Sequence, residues 1–426
     1  MSGAGILKHS GNRFSKYVTY GRDAASGGGG GGTFLLRGDP TFDETLLSGD
    51  DALWYQRFWA AIEHPDQYPS SSSRSLSGDL YAYGRDVNVY VSSLMMGFRV
   101  TGDLRLLDDV DRVAENMRAQ LQTQWVDANG NFYEPNDGTE GYLRWNWLKD
   151  SSWSGYGTDT HEMDTVMTLS VVAMFAFAFE NNRDLVSPGG VNYGARADFW
   201  FDYLENHFEA IWRIRSNKPT GLPYLRRNLS HPWAHNIRFN HYMGLLTGDS
   251  AYAVEAEFLI GKLMEEQVEV STSIGPAFVW AHGVISAGSS NDFLQATTYV
   301  KYDLLARGDL VLEGFSGSMD DAHMQKIANA LSQFVDDGDP DNTGDRFAES
   351  VGGDTSRGGL TFNAGFRTRE SESRWAVSSL SLGAVWDSTG LVDAINDDVY
   401  AMVETDLTNP RRVHIPAAKV LMLAYR

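Results

Sequence analysis

The chain has no cysteine, which excludes disulfides, thiolate zinc sites and a cysteine nucleophile together. It also lacks any apolar run near the roughly 18 residues a membrane span needs. The closest approach, Val166 to Phe179, is interrupted by Thr168 and Ser170 and reads as a buried core helix. The N-terminus does not show the charged-then-apolar order of a signal peptide. Positive charge is scarce: 35 Lys and Arg face 56 Asp and Glu, a formal charge of -21. That field repels nucleic acid and anionic membranes at long range, so neither is an expected partner.

The most informative absence is local. Ala210 to Gly248 contain no Asp or Glu, although 39 residues at the chain's average frequency would hold about five. In their place stand Arg213, Arg215, Lys218, Arg226, Arg227 and Arg238, interleaved with His231, His235, His241, Tyr224, Trp233 and Asn236. A cationic, aromatic island on an anionic chain is the pattern of a site for an anionic ligand. The alternative is a basic helix pair answering acids that come from elsewhere in the fold.

What is present in bulk describes a large core. The chain of 426 residues is 42% apolar and 12% aromatic, which excludes wholesale disorder. Residues 1–44 stand apart: Gly27 to Gly32 form an unbroken glycine run that reads as a flexible linker, after a short segment (Tyr17 to Gly21) with strand character. From Leu46 the pattern turns helical, with Leu53, Trp54, Phe58, Trp59 and Ile62 at three- and four-residue spacing.

Apolar helical runs then end at Thr101-Gly102-Asp103, Asn181-Asn182-Arg183-Asp184, Thr247-Gly248-Asp249 and Arg307-Gly308-Asp309. Each places Gly or Asn at a C-cap and Asp where the next helix needs an N-cap. Met96 to Asp103 and Met243 to Asp249 are also alike in sequence. Repetition of one unit implies a ring or solenoid whose neighbours bury each other's faces. Val171 to Phe179 has no polar face, as expected of an enclosed inner helix. The expected fold is therefore all-α, an (α/α) toroid of about six helical hairpins over residues 45–426, closing at Ala417 to Tyr425. An open solenoid is the alternative.

In such a ring the N-terminal edges of inner helices share one cleft. Three edges carry chemistry. Ahead of the apolar helix lies Asp159-Thr160-His161-Glu162-Met163-Asp164; Asp159 with Glu162 matches a capping box, which leaves His161 unexplained. The second is His231 to His241, where Pro232 sets a helix start near Trp233 or Ala234 and brings His235 and Arg238 onto one face. The three histidines give one i,i+4 pair with no acid nearby, so no metal site is expected there. The third is a helix opened by Asn291 as N-cap, whose face carries Gln295, Tyr299 and Tyr302, with His282 upstream. Tyrosines facing a polar cleft bind sugar or transfer protons. Tyr142, Trp145, Trp147, Trp153 and Tyr156 crowd a loop and read either as a sugar-stacking platform or as rings buried beneath it. Asp337 to Asp345 resembles a calcium loop but has Ser350 where an EF-hand needs glutamate; it reads as a solvated acidic loop, with one structural Ca²⁺ as the alternative. No cofactor is expected to be required.

A helical ring, a cationic island and tyrosines on a later repeat fit a polyanionic sugar chain. By its toroid pattern, the pair His235-Asn236 and the later Tyr299, the chain resembles the helical-toroid polysaccharide lyases acting on alginate or glucuronan. The resemblance covers about residues 50–420 as architecture. It implies β-elimination on a uronic-acid polysaccharide, with His235 and Asn236 neutralising or deprotonating and Tyr299 as acid or base. The readings of the residues themselves add Arg238 and His161 as expected catalytic residues, and Arg226, Arg227, Trp233, His231, His241, Gln295, Tyr302, Trp153, Tyr156 and His282 as expected substrate-binding residues. Related lyases carry an arginine before the tyrosine where Gln295 stands here; Arg238 is expected to substitute, or Tyr302 to replace Tyr299. The expected partner is an anionic polysaccharide, and the expected location secreted or extracellular. Two other readings stand beside it: a glycoside hydrolase on the same ring, using two of Glu134, Asp159, Glu162 and Asp164, and a non-catalytic polysaccharide-binding protein.

Overall fold

The computed structural model describes residues 36–64, 73–216, 228–315, 319–335, 348–353, 355–363, 380–390 and 413–425. They are mostly helical. Helix α1 (Asp50–Glu63) is followed by a first turn, Leu80–Ala82, a π-helical turn, Tyr83–Val87, and α2 (Asn88–Thr101). Next come α3 (Leu104–Ala119), a hairpin of β1 (Trp125–Val126) and β2 (Phe132–Tyr133), and α4 (Glu162–Asn181). α5 (Tyr193–Tyr203) passes through a π turn into α6 (Ala210–Ser216). The chain continues with α7 (Ser230–Thr247), α8 (Ser250–Glu265), and antiparallel β3 (Gln267–Thr272) and β4 (Gly275–Trp280). α9 (Thr297–Leu312), α10 (Asp321–Ala330) and α11 (His414–Tyr425) complete it.

Five helices follow one another side by side. α2 packs on α4, α4 on α7 and α7 on α9, while α11 packs along α2. Residues 380–386 bridge the remaining interval: Trp386 and Leu382 approach Gly308 of α9, and Trp386 meets Tyr425 of α11 at 6.0 Å between ring centroids. A second set lies against the first, with α3 on α2, α5 on α4, α8 on α7 and α1 on α11. α4 is enclosed from both sides, so its apolar run from Val166 to Phe179 is buried except for the half-buried Phe177. Its length and hydropathy would allow a membrane crossing, but 83% of the relevant window is buried inside the fold. Two of its buried hydroxyls are satisfied within the helix, Thr168 donating to Asp164 O at 2.7 Å and Ser170 to Met167 O at 3.0 Å, while Thr165 donates to Asp159 O ahead of it at 3.3 Å.

The turn pattern holds at two of four places. Gly102 and Gly248 take left-handed conformations at φ 67° and 69°, and Asp103 and Asp249 each cap the next helix by accepting a backbone N–H. Asn182 does end α4, but Asn192, not Asp184, caps α5; Asp184 pairs with Arg37 at 2.6 Å. At Arg307-Gly308-Asp309 the helix does not stop. It runs to Leu312, because Trp386 packs on the bare Gly308 and Asp309 is engaged by arginines.

Other boundaries differ as well. His161, not Asp159, is the N-cap of α4, since Asp159 accepts from Trp125 and Arg215 instead. α7 begins at Ser230, with Pro232 inside its first turn. Asn291 opens no helix: α9 starts at Thr297, and residues 293–296 form isolated bridges to Ala281, Ser350 and Thr361. The segment before residue 45 is joined to the fold from Leu36 onward, where Asn182 donates to Leu36 O at 2.9 Å and Asp39 N to Gly102 O at 2.9 Å. The glycine run, Tyr17 to Gly21 and the acidic loop at 337–345 lie outside the described residues.

Candidate functional site

The polar edge of the helical succession is built around one carboxylate. Gly84 in the π turn has no side chain, and a Cβ there would stand 2.8 Å from Asp164 O, so the turn lies directly against the start of α4. This approach lets Arg85 Nε donate to Asp164 Oδ1 at 2.8 Å. Trp147 Nε1 donates to Asp164 Oδ2 at 2.8 Å, and His161 Nδ1 is 3.1 Å from the same oxygen. Burial alone would raise the Asp164 pKa; Arg85 and His161 outweigh it, so the carboxyl is held below its ordinary value. Burial likewise opposes the charge of Arg85, yet the charge and hydrogen bond of Asp164 outweigh it and raise its pKa.

Above this clamp the aromatic residues of three elements converge. The Arg85 guanidinium carbon lies 5.3 Å from the Tyr302 ring and 5.7 Å from the Tyr299 ring. His231 stacks on Tyr299 at 4.6 Å with 17° between planes, and its Nε2 is 3.3 Å from Met163 Sδ. His282 sits 5.5 Å from Tyr299, stacked on Phe293 and 3.2 Å from Gln295 Oε1. Gln295 Oε1 also accepts from Ser230 at 2.7 Å, which ties the strand-like segment ahead of α9 to the start of α7. His161 stacks on Trp147 at 4.7 Å, and Trp153 meets both rings edge-on. Tyr302, His231 and His282 are buried, while Tyr299, His161, Met163, Trp153, Tyr156 and Tyr81 are half-buried. The half-buried group is the face presented outward.

Sequence-expected residues divide into three sets. Tyr299, Tyr302, His161, His231, His282, Gln295 and Trp153 come together here, with Tyr156 in the same loop as Trp153. His235 and Arg238 lie deeper, on the far side of His231 along α7, so the expectation that they enter the cleft is corrected. His235 is fully enclosed, its Nδ1 2.8 Å from Ser170 Oγ. Burial, then Arg238 and Arg85, push its pKa well below 6.5, so the imidazole is neutral. Arg238 spends its guanidinium on residues of three other helices: it donates to Asn88 at 2.8 Å, Ser92 at 3.2 Å, Ser170 at 2.9 Å and Asp309 at 2.9 Å. Asn236 is buried beside them and accepts from Asn240 at 2.9 Å.

Two residues belong elsewhere. Trp233 faces the outer helix, donating to Leu259 O at 2.7 Å within an apolar cluster. His241 pairs with Glu313 at 2.8 Å near the other end of α7; ten residues along a helix separate it from His231 by about 15 Å, so the two cannot share one cleft. Arg226 and Arg227 lie outside the described residues. The crowded loop is likewise mixed: Trp145 is core, donating to Met117 O and packed on Trp200 and Tyr203, whereas Trp147 and Trp153 border the site.

The acid-free stretch is acid-free only in sequence. Arg213 pairs with Glu209 at 2.5 Å, Arg215 with Asp137 at 2.8 Å and Asp159 at 2.6 Å, and Arg238 with Asp309. Its described arginines answer carboxylates outside the stretch, Arg213 from the adjoining Glu209 and Arg215 and Arg238 from distant segments. The cation that does face the tyrosines, Arg85, comes from Tyr81-Ala82-Tyr83-Gly84-Arg85-Asp86. Sequence reasoning missed it, although this segment also borders an apolar helix. A π turn at such a place often accompanies a functional site.

A cavity of about 590 Å³ lined by Asp321, Trp386, Asp387 and Tyr425 holds none of these residues. No group of three or more His, Asp or Glu among the described residues has metal-binding geometry. No protein family, curated protein or solved structure matches the chain.

Proposed function

We propose that the helical succession is an (α/α) toroid and that the chain is a polysaccharide lyase cleaving a uronic-acid polymer by β-elimination. The observation carrying this reading is Tyr299: a half-buried phenol stacked on a histidine, 5.7 Å from a guanidinium, at the helix edge where an inner-helix cleft opens. Elimination needs the substrate carboxylate neutralised, the C5 proton removed, and the departing C4 oxygen protonated. Arg85 is the fixed cation that stabilises charge developing on the carboxylate. Tyr299, acting as the phenolate, takes the C5 proton, the C5–H electron pair becomes the C4–C5 double bond, and the C4–O bond breaks as its oxygen receives either that proton back from Tyr299, restoring the phenolate, or one from His161 at the rim. His231 and His282 fix the tyrosine from behind, and Trp147 and Trp153 supply ring faces for neighbouring sugars.

The geometry supports elimination better than hydrolysis. A hydrolase needs two available carboxyl groups across the cleft. Asp164 is saturated by Arg85, Trp147 and His161, and Asp159 by Trp125 and Arg215, so a hydrolase here would have to use Glu134, which accepts from Gln124, and Glu162 at the start of α4. The test is incubation with alginate, glucuronan and related uronans, followed at the ultraviolet wavelengths where the unsaturated product absorbs. The expected result is rising absorbance with at least one polymer; new reducing ends without absorbance would replace this reading with hydrolysis, and binding without any product would make the chain a polysaccharide-binding protein.

A further inference from the structure

We propose that Lys149 and Tyr81 form a second subsite beside Tyr299 that holds the carboxylate of the sugar adjoining the reacting one, so that the substrate is a run of consecutive uronates. This rests on the lyase reading and assigns to two residues of this chain the choice of consecutive uronates over an alternating polymer. Tyr81 is half-buried, and two cations approach its ring, Lys149 Nζ at 4.8 Å and the Arg85 guanidinium carbon at 5.5 Å from the centroid. Its ring meets Trp147 edge-on at 6.4 Å, which continues the aromatic wall from Tyr299 toward Trp153.

Lysine is rare in this chain, with eight among 426 residues. Five fall in the described residues. Lys262 and Lys326 pair with Glu265 and Glu269, and Lys301 and Lys419 are buried. Lys149 is exposed and, among the described residues, makes no ion pair. The nearby carboxylates are committed to backbone and hydroxyl donors: Asp150 accepts from Ser152 N at 2.9 Å and Ser152 Oγ at 2.7 Å, and Asp79 from Tyr81 N at 2.9 Å and Leu148 N at 2.8 Å.

On a chain of charge -21 a polyanion is repelled at long range, so its binding depends on close cationic contacts. A half-buried tyrosine ring with an exposed ammonium close to it provides an aromatic surface for a sugar ring and one charge for its carboxylate. Arg85 serves the reacting uronate and Lys149 the next. A neutral sugar in that position would use the ring and leave the lysine idle.

The experiment compares a homopolymeric uronan with a polymer in which uronate alternates with a neutral sugar, using the wild type, Lys149→Gln and Lys149→Arg at low salt. The wild type is expected to have a KM about fivefold lower for the homopolymer, a preference Lys149→Gln erases and Lys149→Arg retains, in line with one exposed charge contact. A wild type without that preference, or a Lys149→Gln variant that keeps it, overturns the subsite. If neither polymer gives an absorbing product with the wild type, the lyase reading fails separately. Calorimetric binding of a homopolymeric oligouronate to the wild type and Lys149→Gln then decides the subsite by itself, equal affinities overturning it.

Discussion

Two clusters in this molecule are made of the same residue types and do opposite things. At one edge, Arg85, Asp164, Tyr299, Tyr302, His161 and His231 surround a half-open surface. Along the helices toward the other, Arg99 of α2 binds Glu313, and donates to Tyr242 at 2.7 Å and Asp309 at 3.1 Å; Tyr242 donates to Glu313 at 2.7 Å and His241 pairs with the same carboxylate. Every member of the second cluster is buried. The first leaves Tyr299 and His161 partly exposed. Arginine, carboxylate, tyrosine and histidine together do not mark a site. What distinguishes the two is whether the donors and acceptors are consumed by one another or turned toward solvent.

Replacing the residue that most depends on this distinction should give the largest effect. Tyr299→Phe is expected to lower the elimination rate by about 10²- to 10⁴-fold, the usual contribution of a positioned acid or base, while its unfolding midpoint stays near the wild type. Tyr302→Phe, buried behind it, should retain most of the rate. The reverse pattern in initial-rate absorbance would transfer the reacting role to Tyr302.

The closed cluster should respond in stability. Glu313→Ala leaves Arg99 with Asp309, a carboxylate it shares with Arg238, and losing one side of a buried pair costs up to about 3–5 kcal/mol, measurable by denaturant unfolding. Burial would raise the Glu313 pKa, but Arg99 and His241 bring it down to about 2 from 4.5. Its contribution is therefore full above pH 4.5 and is lost as pH falls from there toward about 2. A variant with wild-type stability at pH 7 would show that the cluster is not the lock between α2, α7 and α9.

Asp164 sits on the boundary of the comparison, as closed as Glu313 but holding groups of the open edge. Asp164→Asn keeps its shape and loses the charge that orients Arg85. A fall of about 10- to 100-fold in kcat/KM is expected, the scale of removing a positioning partner, together with a modest loss of stability. If kcat/KM holds while stability drops, Arg85 keeps its place without the carboxylate, and the clamp is structural only.

How much of this was legible follows the same line. The apolar circumference of α4, the Gly-Asp turns at 102–103 and 248–249, and the C-terminal apolar run announce themselves because local patterning dictates them. So do Tyr299, Tyr302 and His231, each at the edge of an apolar run. What could not be read is pairing across distance. Arg238 and His241 look like ligands in sequence because Asp309 and Glu313, which consume them, lie over seventy positions away. Arg85 looks unremarkable for the converse reason: its importance comes from Gly84 admitting α4, a contact between segments 80 residues apart. An acid-free stretch reports where carboxylates are absent along the chain, and the fold then supplies them from elsewhere.

His235 gives the finest test, because it stands beside the open edge yet belongs by its contacts to the closed interior. Its pKa is held well below 6.5, first by burial and then by Arg238 and Arg85, and His323 is held at about 3 by burial, Arg307 and Lys326. An unfolded histidine takes up a proton as pH falls through 6.5, and these two do not while folded. Stability is thus full above pH 6.5 and declines below it, by up to about 1.4 kcal/mol per pH unit for each histidine. His235→Gln should remove one of these two slopes between pH 6.5 and 5, leaving that of His323, when unfolding midpoints are compared at intervals across the range. A variant with the wild-type slope would mean that His235 already exchanges its proton with solvent in the folded protein. It would then stand with Tyr299 and His161 at the open edge, where a histidine is free to act on substrate.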